Sequence, residues 1–296
     1  MSFEAMATFE EGLQHVAVVE QTTRGLIKID ENASLRQCAK EIPIVNVARS
    51  KPKLSLEPPF IGRAVCAALF RGLGRHGVDL SSGTCLVLGY GCIGQRVSEE
   101  IASRLGCGRD RVFVYDPDPT RQRLAESRGH TLWNRSDLTT RFGVVVGCSG
   151  RSSFAIGDYV YLADKAVLAS ASSGSVELSR QDFIDLADMS PYDDIEILGD
   201  GLRLRDVHSD LVLRLPGRRA TFLNGGFPVN FDGRVNCIPP RYIQQTVTMM
   251  LAGAVQAVTE ERFGVVDLDP DFCAWVDREF RALLGEEASL LPAADV

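Results

Sequence analysis

The stretch Cys85 to Val97 reads CLVLGYGCIGQRV, an apolar run that breaks into a glycine-spaced turn. Gly89, Gly91 and Gly94 stand in G-x-G-x-x-G spacing, after a predicted strand and at the start of a predicted helix. Each glycine has its own reason. The first permits a tight turn, the second lets backbone approach a pyrophosphate, and the third lets helix and strand pack closely. The helix start also presents unpaired N–H groups and the positive end of a dipole to phosphates. Spacing alone is a weak signal, since a glycine-rich turn can serve packing only. Here the next predicted strand, RVFVYD, ends on Asp116 about twenty residues further on, where a carboxylate meets ribose hydroxyls. The stretch therefore reads as a dinucleotide cradle. Asp116 would repel a 2′-phosphate, which favours NAD over NADP. Arg121 either softens that preference or lies over the adenine or in solvent.

Working outward, the pattern from Thr84 alternates strand and helix. TCLVLG, RVFVYD, GVVVGCSG and KAVLASASSG read as buried strands, while QRVSEEIASRLG and DPTRQRLAESRG read as helices. Such alternation predicts a parallel sheet covered by helices. Upstream, HVAVVEQTTRGLIKI is expected to be extended around a polar turn, after a short helical start. IPIVNVA (Ile42 to Ala48) is a strand candidate, and SKPKLSLEPPFIG a loop in which Pro58 and Pro59 delay a helix until Phe60. A long helix is expected after Pro240, a last amphipathic one over DPDFCAWVDREFRALLG, and a frayed tail over EEASLLPAADV. The expected architecture is α/β: a Rossmann-type doubly wound parallel sheet over residues 61–235. Residues 1–60 plus 236–296 form a reduced second lobe from both chain ends.

Bulk properties narrow the function. The chain has 296 residues, 45% hydrophobic and 24% charged, as a globular protein with a sizeable core does. A formal net charge of -7 without any basic run argues against a nucleic-acid partner. Neither a secretory signal nor an apolar segment of membrane-spanning length is visible, so a cytoplasmic protein with no membrane association is expected. The 8 cysteines lack the paired short spacings of a zinc site and read as reduced thiols.

Beyond the glycines, several stretches resemble S-adenosylhomocysteine hydrolase. LVLGYGCIGQ is similar to that family's G-Y-G-x-V-G-K segment, and VYDPDP to its strand ending in acid-x-D-P. RRATFLNGGFPVN is similar to its R-R-x-x-L-L-x-x-G-x-x-V-N stretch, VEQTTRG to its E-E-T-T-T-G, and IPIVNVARSKPKL to its P-x-x-N-V-x-x-S-x-T-K-S-K region. The matches keep their order over roughly residues 17–250. The family's long N-terminal part and its lysine- and tyrosine-containing tail have no evident counterpart. The resemblance implies NAD as cofactor. It places Thr22 and Thr23 on cofactor-contacting threonines, with Arg24 replacing a third. Gly89, Gly91, Cys92, Ile93 and Gly94 fall on the pyrophosphate turn, and Asp116 on the ribose acid. Ser149 and Gly150 fall on the turn after the next strand, and Asn230 on the asparagine that holds the nicotinamide carboxamide.

The catalytic side of the resemblance is largely replaced. Lys51 falls on the lysine that assists oxidation of the nucleoside 3′-hydroxyl. The family's neighbouring acid-amide pair gives way to Ser55 and Leu56. Its glutamate becomes Gln21, which orients a hydroxyl but takes no proton. One family histidine becomes Ser173, and another meets Asn236 and Cys237. Of His15, His76, His130 and His208 none falls on a catalytic position, and His76 and His130 read as surface caps at helix ends. Glu57 is the nearby carboxylate available to stand in for the missing acid. Two readings follow. One is an NAD-dependent enzyme oxidising a secondary alcohol, nucleoside or sugar-like, either as a dehydrogenase or in a redox-neutral elimination, hydrolysis or epimerisation, with Lys51 as base and Gln21 orienting. The other is a catalytically inert NAD-binding sensor or partner subunit. A 2-hydroxyacid dehydrogenase is weaker, because no arginine and histidine–acid pair follows the sheet. The apolar face of YIQQTVTMMLAGAVQAV, with the family's oligomers, implies a homo-oligomer, a dimer or tetramer.

Overall fold

A computed structural model of the chain describes residues 16–79, 83–105, 108–188, 196–197, 208–233 and 237–291. The expected helical start, His15, Cys107 and Asn236 lie outside them. The chain divides into two units, Met1–Glu57 with Pro240–Val296, and Pro58–Pro239. The second unit therefore starts a few residues before the expected position 61 and ends after 235.

The first unit opens with strand β1 (Val18–Glu20), helix α1 (Thr23–Glu31), helix α2 (Ala33–Cys38), strand β2 (Pro43–Asn46) and helix α3 (Lys51–Leu56). Two sequence expectations fail here. GLIKI is helical, because the Thr22 hydroxyl caps α1 by accepting the Gly25 amide at 2.9 Å. SKPKLSL is helical too, because Pro52 sits in the first turn, where its missing N–H has no intrahelical partner to lose. For the same reason helix α4 (Pro58–Arg75) starts at Pro58, two residues before Phe60.

The second unit continues with β3 (Cys85–Leu88), α5 (Cys92–Leu105), β4 (Val112–Tyr115), α6 (Pro119–Ser127), β5 (Thr131–Leu132), β6 (Phe142–Gly147), β7 (Leu162–Ser170) and α7 (Arg180–Asp188). Strands β8 (Glu196–Ile197), β9 (Leu211–Leu215) and β10 (Arg218–Phe222) complete its sheet. The eight strands lie in the order β5-β4-β3-β6-β7-β10-β9-β8. The first six are parallel, and β9 and β8 add antiparallel pairs at one edge. Renumbered from β3, the parallel part runs 3-2-1-4-5-6, the doubly wound Rossmann order.

Alternation along the strands explains why both faces are covered. Cys85 and Val87 enter one core with Val65, Leu69, Val97 and Ile101 of α4 and α5. Leu86 and Leu88 enter another with Trp133, Phe142, Phe183 and Phe222. A strand buried on both sides must read as a continuous apolar run, as CLVL does.

The first unit resumes with α8 (Pro240–Thr259), β11 (Gly264–Asp267) and α9 (Pro270–Leu284). Its three-stranded sheet has the order β1-β2-β11, all parallel. A Cβ on Gly253 of α8 would lie 3.0 Å from Val19, 3.2 Å from Val47 and 3.5 Å from Val45, so the bare glycine lets the helix pack closely onto this sheet. After α9, Gly285–Leu290 form a 3-10 turn and Leu291 is buried, so the described part of the tail is not frayed. Among the described residues no helix is long and apolar enough to cross a membrane, and no group of three or more His, Cys, Asp or Glu residues could hold a metal ion. The described cysteines are free thiols. Burial pushes the Cys66 thiol up to about 12.

Candidate functional site: a glycine cradle and a buried polar cluster

The glycine turn sits at the carboxyl end of β3, in the middle of the parallel sheet. Gly89 has φ +95°, and a Cβ there would lie 2.8 Å from the Ser149 backbone. A Cβ on Gly94 would lie 1.9 Å from the Gly89 carbonyl oxygen, so only glycine allows α5 to start here. Gly91 differs. A Cβ on it would meet nothing within 4 Å except Arg121 Nη1 at 3.9 Å. This glycine is therefore not required by packing, and the bare backbone it exposes suits a closely approaching phosphate. The Gln95 amide donates to the Gly91 carbonyl at 3.0 Å, which leaves the amides of Cys92, Ile93 and Gly94 ahead of the first helical hydrogen bond.

Asp116 follows β4 and is 1% exposed. Its Oδ2 accepts the Tyr90 amide at 2.7 Å and its Oδ1 the Asp118 amide at 2.9 Å. Arg121 Nη1 stands 3.5 Å from the same Oδ2, and Nε 3.7 Å from Asp118 Oδ2. The acid thus shapes the turn from within, and the exposed guanidinium lies between it and Gly91. Tyr90 points inward against His130, with ring centroids 5.7 Å apart. The sequence placed His130 at the surface; it is buried, and burial lowers its pKa. His76 does follow a helix end, its amide donating to the Gly72 carbonyl of α4 at 3.1 Å, and it is half-buried with Nε2 2.9 Å from Asp210 Oδ2.

Beyond β6 and β7 the loops are tied together by Glu177. Ser149 Oγ donates to it at 2.8 Å and the Gly150 amide at 2.5 Å, with Ser153 and Ser172 hydroxyls completing the set. The Val229 amide donates to the Ser170 carbonyl at 2.8 Å, and Pro228 bridges to Ser170, which sets buried Asn230 beside the end of β7. Asn224, in left-handed conformation, fastens the same loop through Nδ2 to the Pro228 carbonyl at 2.7 Å. His208, unplaced from sequence, has its ring 4.6 Å from that of Phe227 in this loop.

In the other unit, the sequence candidates separate. Thr22 is committed locally: its amide and hydroxyl donate to Glu20 Oε1 at 2.7 and 2.8 Å. Thr23 is exposed. Arg24 pairs with Glu31 at 3.3 Å, and its Nε is buried without a partner. Lys51 lies exposed on the first turn of α3. Lys53 donates to Gln21 Oε1 at 3.1 Å. Lys53 also pairs with Glu57, whose Oε2 accepts the Thr246 hydroxyl at 2.6 Å. Gln245, beside Thr246, is 2% exposed with both polar side-chain atoms unpartnered. Sequence reasoning missed Lys53, Thr246 and Glu177. The i,i+4 spacing of Lys53 and Glu57 was the available signal for the first.

Strand order and glycine turn together define the second unit as a Rossmann-type α/β unit with a dinucleotide-compatible turn. No family model matches the chain. Two uncharacterized proteins, from two strains of Mycobacterium tuberculosis, are each 30% identical to it over 219 residues. That span is 74% of this chain and 36% of theirs, so the chain spans about a third of the length of the curated relatives it matches. A solved D-lactate dehydrogenase of Treponema pallidum is 15% identical, with 87% of this chain and 70% of that one covered, at a TM-score of 0.37. The strand order, rather than this likeness, defines the fold.

Proposed function

We propose that the chain is an NAD-dependent enzyme that oxidises a secondary alcohol, nucleoside or sugar-like, in the manner of S-adenosylhomocysteine hydrolase. It acts either as a dehydrogenase or in a redox-neutral elimination, hydrolysis or epimerisation. The observation that carries the reading is the Gly89–Gly91–Gly94 turn: two of its glycines are required by contact, and the third has no contact that requires it. Cys92, Ile93 and Gly94 would hold the pyrophosphate through their amides. Asp116 and Arg121 would face the adenine ribose, Ser149 and Gly150 the next turn, and Asn230 the nicotinamide carboxamide. When bound there, NAD supplies a hydride acceptor. Gln21 orients a hydroxyl, and a lysine takes its proton. The resemblance names Lys51 for that task; its neighbour Lys53 is the lysine that touches Gln21. The substrate is a small molecule.

The inert sensor is a second reading, favoured by a specific observation: Lys53, Glu57 and Thr246 satisfy one another. One experiment separates the two. Protein as purified is denatured to release nucleotide, and nucleoside-type alcohols are added to native protein while absorbance of reduced nicotinamide is followed. Reduction supports the enzyme, and retained NAD with no reduction across the panel supports the sensor. A cytoplasmic homo-oligomer, a dimer or tetramer, completes the proposal. The oligomer is supported by the exposed stripe Val247, Met250, Leu251, Val255 and Val258 on α8.

A further inference from the structure

Glu177 carries a carboxylate that is 0% exposed. Its two oxygens receive three serine hydroxyls and one backbone amide, from Ser149, Ser153, Ser172 and Gly150. Among the described residues its partners are these hydroxyls and this amide, none of them a lysine, arginine or histidine side chain. A buried charge ordinarily has an opposite charge beside it. Here four neutral donors take that place, which satisfies the hydrogen-bonding capacity of the anion and leaves its charge uncompensated.

The position of this charge is built into the chain. A Cβ on Gly147, the last residue of β6, would lie 2.5 Å from Glu177 Cβ, so that strand ends in glycine to admit the side chain. Ser149, one of its donors, is the residue whose backbone closes against Gly89. Ser172, another, follows β7. The anion therefore lies along the edge shared by β3, β6 and β7, directly behind the glycine turn. Doubly wound sheets bind dinucleotides along that carboxyl edge.

We propose that Glu177 is a positioning residue whose uncompensated charge makes the site favour the oxidised over the reduced nicotinamide dinucleotide. The inference rests on the dinucleotide reading above and deepens it. The two forms share adenine, riboses and pyrophosphate and differ by the positive charge of the oxidised ring. An anion at this edge attracts that charge and so discriminates between the forms, whereas a mere latch for the loops after β6 and β7 affects both equally.

The test is titration calorimetry of NAD and NADH, at neutral pH, into nucleotide-stripped wild-type protein and its Glu177→Gln, Glu177→Asp and Ser172→Ala variants. Wild type is expected to bind the oxidised form at least about tenfold more tightly, and Glu177→Gln to shrink that ratio at least about fivefold. Glu177→Asp and Ser172→Ala keep the charge and are expected to keep the ratio while weakening both forms. Equal affinity of wild type for both forms, an unchanged ratio in Glu177→Gln, or a lost ratio in Ser172→Ala each overturns the proposal while leaving dinucleotide binding intact. Should Glu177→Gln not fold, the wild-type ratio and the two charge-keeping variants decide. Failure of wild type to bind either form overturns both this inference and the reading beneath it.

Discussion

The carboxylate of Asp116 accepts the amide of Tyr90 at 2.7 Å, tying the end of β4 to the middle of the glycine turn that follows β3. One residue thereby joins two strands' ends, and the same acid is the proposed ribose ligand. Asp116→Asn keeps an acceptor for the Tyr90 amide and removes the charge that would oppose a 2′-phosphate. With Arg121 retained beside it, the preference for NAD over NADP is expected to narrow by about tenfold, read by competitive titration of the two cofactors. An unchanged preference in this variant would remove Asp116 from cofactor selection.

Gly94 and Gly91 should part company on substitution by alanine. At Gly94 the added carbon would sit 1.9 Å from a backbone oxygen, and a loss of about 1–3 kcal/mol in unfolding free energy is expected, with cofactor binding lost. At Gly91 nothing but the flexible Arg121 is near, so the variant should melt close to wild type and still bind dinucleotide at least tenfold more weakly. Thermal melts paired with calorimetry read both. A Gly91→Ala protein that binds normally would mean the turn serves packing alone.

Lys51 and Lys53 make opposite predictions for the proton acceptor. Lys53→Met leaves Glu57 and Thr246 without their cation and should cost about 1–3 kcal/mol of stability as well as alcohol-dependent reduction, cofactor staying bound. Lys51→Met, at an exposed position, should melt like wild type. Turnover surviving in Lys53→Met and vanishing in Lys51→Met would return the role to the lysine named by resemblance.

Burial lowers the pKa of His130 from its ordinary 6.5. The folded state then binds fewer protons than the unfolded chain between the two values, so stability rises with pH across that window. His130 thus contributes stability that is full above pH 6.5 and is lost as pH falls toward the folded value. Melting temperatures recorded from pH 8 down to 5 should show this fall in wild type and a shallower one in His130→Phe.

If α8 mediates self-association, a charge in its exposed stripe should prevent it. Leu251→Glu is expected to convert the oligomer to monomer by light scattering without lowering secondary-structure content, because Leu251 is 65% exposed in the single chain. Wild-type protein running as a monomer would dispose of the oligomer directly.

How much was legible beforehand varies with the range of the interaction. CLVLGYGCIGQ announced strand, turn and helix because continuous burial and glycine spacing are local properties, and the unit around it follows from strand–helix alternation. The helices α1 and α3 were not legible, since Thr22 reads as a turn residue until its hydroxyl is seen on the Gly25 amide, and Pro52 reads as a breaker until it is seen in a first turn. His130 follows a helix end as expected but was mistaken for a surface residue; it is buried with its ring against that of Tyr90, forty residues earlier.

By itself, then, the order of residues determined the parallel sheet, its glycine turn and the acid on the following strand, all set by neighbours within one strand–helix–strand. Only the tertiary structure decided which lysine meets Gln21, that Asp116 is turned toward Tyr90, and that Glu177 sits uncompensated behind the turn. Those relationships join residues dozens of positions apart, and the physical reason they escape a linear reading is that a side chain's partners are chosen by packing, which no local periodicity encodes.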